Sequence, residues 1–128
     1  MKSTWLVVLG ALWVSGGLVS AHHSFAAAYD DHAKPVTLKG QIVQLLFRSP
    51  HSFVHVMAPD EHGQMQRWAV EWGGITQLER SGITRETLKP GDDVVITGMP
   101  ARNTADHRML VRKIERPADG WKWSGTFE

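Results

Sequence analysis

Apolar residues fall along this chain in two regimes. From Trp5 to Val19 they form a nearly unbroken, uncharged run, interrupted by Gly10, Gly16 and Gly17. From Val36 to Arg116 they mostly alternate with polar residues, the period of strands with one buried face. Residues 22–34, between the two, are polar, His-rich and Ala-rich with no sustained period. The alternation predicts a long first strand over Val36–Phe47, with Val36, Leu38, Ile42 and Leu46 on one face. Gly40 interrupts that face and suggests a bulge or bend. Val43, Leu45 and Phe47 are apolar on the other face, so the second half of this strand is expected to be covered on both sides. After the break Arg48-Ser49-Pro50, a second strand runs over His51–Ala58. Ser52, Val54 and Val56 point to the core; His51, Phe53, His55 and Met57 take the opposite face. Pro59–Gly63 reads as a hairpin loop leading into a third strand, Gln64–Trp72, with Trp68, Val70 and Trp72 on one face.

After Gly73-Gly74 the period changes. Ile75, Leu78 and Glu79 recur at helical spacing up to Ser81, and Gly82 is a terminator. Thr84–Leu88 fits a second short turn, and Pro90-Gly91-Asp92 is a turn. Asp93–Met99 and Arg108–Arg116 complete five strands, separated by a loop over Pro100–His107. Three strands, a short helix and two strands predict a mainly β fold: a small five-stranded OB-like barrel with one short helix between strands three and four. Closing the sheet also removes exposed edges from so many short strands. An open meander with a packed helix is the alternative topology. The expected division is a cleaved signal at 1–21, an arm at 22–34 with a helical turn through Phe25–Tyr29, the barrel at 35–117 and a tail at 118–128. In the tail Asp119-Gly120 is a turn signal, followed by Trp121 and Trp123.

The leading apolar run has the marks of an export signal. Lys2 supplies the positive start, and Val19-Ser20-Ala21 offers small residues for cleavage before His22. The run is short for a permanent span, which needs about 20 apolar residues. The expectation is a periplasmic or secreted protein that meets the membrane only during export. Cleavage takes away Lys2 and no acid, leaving 13 basic and 13 acidic residues. A chain without basic surplus is not expected to bind nucleic acid, which needs positive charge against phosphates. The absence of Cys excludes thiol catalysis, Cys-rich zinc sites and disulfides.

Five stretches in order carry a resemblance: Ala21-His22-His23-Ser24-Phe25, Lys34–Gly40 (KPVTLKG), Ser49-Pro50-His51, Trp68-Ala69-Val70-Glu71 and Leu88–Asp92 (LKPGD). Together they resemble an exported bacterial family, the domain of unknown function family 6152. Ser49 departs from the Asn-Pro-His that usually opens the second strand there. The resemblance covers nearly the whole processed chain. It implies export and a compact β domain, and it implies no activity.

The residues themselves suggest one chemistry. Cleavage before His22 would give that histidine a free α-amine beside its own imidazole, and the two close a chelate ring suited to Cu(II). The α-amine pKa is about 7.7–8.0, so a metal can displace its proton near neutral pH. One more imidazole would complete a three-nitrogen site. His51 is preferred, because it sits beside Pro50 at a strand start; His23, His55 and His107 are the fallbacks. His51 and His55 are four residues apart on an extended strand, roughly 13 Å, too far to share a metal. His32 and His62 are expected to be solvated. The competing reading is a metal-free binding or accessory module for a protein, peptide or glycan partner, or a small ligand. Phe53, Trp68 and Trp72 are its face candidates, because aromatics on an OB-like sheet can stack sugars or bases; packing of Trp68 and Trp72 into the core competes with that role. Arg102, Arg108, Arg112 and Arg116 read as a solvated face balanced by Asp92, Asp93 and Glu115. No phosphate loop, Gly-x-Ser-x-Gly elbow or His-Glu-x-x-His motif is present, and no catalytic residue is assigned.

Overall fold

A computed structural model describes residues 25–126. The strands are β1 (Val36–Leu46), β2 (Ser52–Pro59), β3 (Met65–Trp72), β4 (Asp93–Pro100), β5 (Arg108–Arg116) and β6 (Trp121–Ser124). One α-helix, α1 (Ile75–Arg80), lies between β3 and β4, and a single 3-10 turn covers Thr104–Asp106. Residues 25–28 form a helical turn.

The sheet order is β3-β2-β1-β4-β5-β6. The long β1 serves two neighbours: residues 36–41 pair with β4, and residues 41–46 pair with β2. A parallel pairing of β3 with β5, Ala69 beside Arg108 and Glu71 beside Leu110, closes a five-stranded mixed barrel. β6 is an additional strand on the far side of β5.

Alternation explains most of the interior. Ser52, Val54, Val56 and Ala58 of β2 are fully buried, as are Val70 and Trp72 of β3. Leu38 and Ile42 of β1, Val94 and Ile96 of β4, and Val111 and Ile114 of β5 complete the lining. The short α1 buries Leu78, and Ile83 and Leu88 follow it into the same core. Gly40 lies where β2 passes close by: a Cβ there would be 2.2 Å from the Met57 carbonyl oxygen. The irregularity of β1 comes later, between Ile42 and Gln44. One extra residue there shifts the phase, so Leu45 packs on the core and Phe47 is buried, while Leu46 is only half-buried. The expected face resumed after Gly40 and ran through Ile42 to Leu46; the bulge at Val43 is what turns it.

The tail adds to the fold. Trp121 and Trp123 pair with Arg116 and Ile114 of β5 and pack on the core, and Trp123 stands edge-on to Trp72 at 5.3 Å.

Candidate functional site

The β2–β3 hairpin sets the site. Its register runs from Pro59 opposite Met65 to Ser52 opposite Trp72, so Phe53 faces Glu71 on the outer side of the barrel. His51 immediately precedes β2 and approaches the same carboxylate: its Nδ1 is 2.5 Å from Glu71 Oε1. The parallel β3–β5 pairing brings Arg108 alongside, and Arg108 Nη2 donates to Glu71 Oε2 at 2.7 Å.

Glu71 lies on the outer face yet is only 4% exposed, because the segment before β1 folds over it. Tyr29 forms an isolated bridge with Ala101, and Asp30 N donates to the Pro100 carbonyl. Arg102 holds the same segment through its backbone N–H to Ala28 and its Nε to the Ala26 carbonyl. Tyr29, 2% exposed, packs with Met99 and Leu110, with Phe25 and Ala28 against them. Its hydroxyl donates to Glu71 Oε2 and accepts from Arg108 Nε at 2.7 Å. Phe25 then stacks on the His51 ring at 4.9 Å between centroids and 27° between planes.

The electrostatics follow from this packing. Burial pushes the Tyr29 phenol well above its ordinary value, and the hydrogen bond and charge of Glu71 act in the same direction against Arg108. Burial works against the charge on Arg108, but its bonds to Glu71 and Tyr29 more than offset that, and its guanidinium is held more firmly protonated. Arg108 also lies over the rings of Tyr29 and Phe53, at 5.5 and 5.3 Å, and Arg48 lies over Phe53 at 5.4 Å. The set is thus a buried carboxylate with three neighbours contributed by the arm, the β2 entry and β5.

The other candidates are dispersed. His55 stands two positions along β2 from Phe53, and its Nδ1 accepts from Arg67 Nε at 3.4 Å. Burial, then Arg67 and Arg48, push its pKa down. His107 has a left-handed backbone, φ 45°, and its Nε2 is 4.0 Å from Asp60 Oδ2. It meets Trp68 edge-on beside a cavity of about 490 Å³ lined also by Leu38, Pro59 and Ala101. Trp68 and Trp72 lie in the core at 9% and 1% exposure, Trp68 spending its indole N–H on the Ala58 carbonyl. Phe53 is half-buried on the outer face. His32 and His62 are exposed. His22 and His23 lie outside the described residues. Among the described residues no three His, Asp or Glu side chains are placed to share a metal.

Of the arginines expected on a solvated face, Arg102 is exposed, and the expected balance by Asp92 holds for Arg116, but Arg108 and Arg116 are engaged rather than solvated. Arg108 belongs to the Glu71 set. Arg116 reaches Asp92, Asp119 and the Thr87 carbonyl, and Arg102 pins the arm.

Sequence reasoning placed neither Glu71 nor Tyr29 at a site and read Arg108 as part of a solvated face. For Glu71 a signal existed: counting back from the hairpin loop places it opposite Phe53, beside the start of β2. For Tyr29 and Arg108 there was none, because their contacts to Glu71 span 42 and 37 positions.

The DUF6152 family model, described only as a family of unknown function, matches residues 11–110. The chain belongs to this family. The matched range contains Tyr29, His51, Glu71 and Arg108, all four polar members of the set. No curated protein and no solved structure matches the chain.

Proposed function

We propose that this member of the DUF6152 family is an exported OB-like binding protein that takes up one Cu(II) at its processed N-terminus. The donors are the α-amine and imidazole of His22 and the Nε2 of His51. The observation that carries the reading is the stacking of Phe25 on His51. Phe25 is three residues from His22, and three residues span at most about 10 Å. The arm therefore starts within reach of the one half-exposed imidazole on that face whose Nδ1 is already engaged by a carboxylate. Two imidazoles and an amine suit the tetragonal nitrogen coordination of Cu(II). Because the described residues alone do not assemble three ligands, the site depends on the donors that cleavage would create.

The test is copper uptake by protein beginning at His22. One Cu(II) per chain is expected, with an electron paramagnetic resonance spectrum of equatorial nitrogen ligands. His51→Ala should weaken uptake at least about tenfold. His55→Ala should not, since His55 spends Nδ1 on Arg67 and lies farther along β2. His62→Ala controls for exposed histidines. Equal affinity in all four proteins would remove His51 from the site.

A further inference from the structure

A carboxylate accepts hydrogen bonds and cannot donate them. At 2.5 Å from Glu71 Oε1, His51 Nδ1 is therefore the donor. The carboxylate is not free to turn away, because Oε2 accepts from both the Tyr29 hydroxyl and Arg108 Nη2. Phe25 covers one face of the His51 ring and fixes its plane. A neutral imidazole carries one N–H and one acceptor nitrogen, so these contacts together decide which nitrogen is which.

We propose that Glu71, anchored by Tyr29 and Arg108, is a positioning residue that assigns His51 its Nδ1–H form and leaves Nε2 as the nitrogen open to a ligand. This rests on the reading of His51 as a copper ligand, but it is a property of the metal-free protein and can be measured there. A carboxylate behind an imidazole also holds the ring in the orientation a metal needs.

Glu71→Gln makes the inference sharp. Tyr29 and Arg108 both present donors to the Oε2 position, so they select the amide oxygen of Gln at that point. The amide NH2 then occupies the Oε1 position and faces Nδ1. To accept from it, Nδ1 must give up its proton, and the N–H moves to Nε2. The substitution keeps size and shape while reversing the tautomer, which a purely structural role for Glu71 would not do.

The experiment is long-range ¹H–¹⁵N correlation of the histidine rings in metal-free protein starting at His22, wild type and Glu71→Gln. The wild type should show His51 as the Nδ1–H form, and the variant should show it as the Nε2–H form. Copper affinity should fall about 10–100-fold in the variant, the usual range for loss of an outer partner of a ligating histidine. An Nε2–H wild-type His51 overturns the proposal even if the variant fails to fold. So does a folded variant that keeps Nδ1–H. Should both tautomers be as expected while neither protein binds copper, the positioning role stands and the copper reading falls.

Discussion

Tyr29 shows how much one side chain depends on its setting. It is the only tyrosine in the chain, and burial beside Glu71 raises its pKa above the ordinary value of 10.0. The folded protein therefore holds the phenolic proton where the unfolded chain would release it. The stability this contributes is complete below about pH 10 and is lost as pH climbs towards the folded value. An alkaline titration followed by phenolate absorbance should show no ionisation near pH 10. It should appear only at higher pH, together with loss of near-ultraviolet dichroism; a simple titration centred at 10 would mean that Tyr29 is not docked on Glu71. At this scale the sequence was informative about residues whose role is to be apolar. Val54 and Val56 face inward because the strand period places them there. Glu71 sits in an outward position by the same rule, and it is buried only because a distant arm covers it. Local periodicity carries no trace of such a cover.

At the scale of elements, the faces of β2 were legible and those of β1 only in part. The β2 assignment predicts that Val54→Asp or Val56→Asp places an unpaired charge where exposure is zero, at a cost of about 4 kcal/mol or more. That is a large share of the stability of a domain this size. Thermal denaturation checks it, and a variant that keeps its full melting temperature would reverse the face assignment. In β1 the bulge at Val43 was misplaced to Gly40, because a glycine signals both a bulge and a close approach; here it serves the second. β6 depends on a different device. Arg116 donates to both carboxylate oxygens of Asp119, at 3.0 and 2.8 Å, while its Nη1 reaches Asp92. The bond from Arg116 chiefly, helped by the Trp121 N–H, lowers the pKa of Asp119. Stability from that pair is complete above the ordinary carboxylate value of 3.8 and is lost as pH falls through the lower folded value. Acidification should thus lower the amide-exchange protection of β6, relative to an unstructured chain at the same pH, before the barrel opens, and Arg116→Ala should lower it already at neutral pH. Equal protection of β6 in both proteins across that range would refute the clamp.

For the whole molecule, the order of three strands, a helix and two strands pointed to a closed OB-like barrel. The pairing that closes it, parallel β3 with β5, joins segments about 40 positions apart; the order suggested closure, but nothing in the sequence named the two strands that make it. The same closure brings Arg108 to Glu71, so fold and candidate site share one origin. Export and processing are the remaining link, since they would turn a histidine in the middle of a precursor into an N-terminal chelate. Val19-Ser20-Ala21 is the expected cleavage signal, and His51, on which Phe25 stacks, is the proposed partner of the new N-terminus. The direct measurement compares Cu(II) affinity of the protein beginning at His22 with that of the same protein carrying one extra residue before His22. The account predicts one tight Cu(II) per chain in the first and a loss of at least about tenfold in the second, because the amine leaves the chelate ring while every side chain stays. Equal affinity in the two would show that the amine is not a ligand, and the protein would then be better understood as a metal-free binding module.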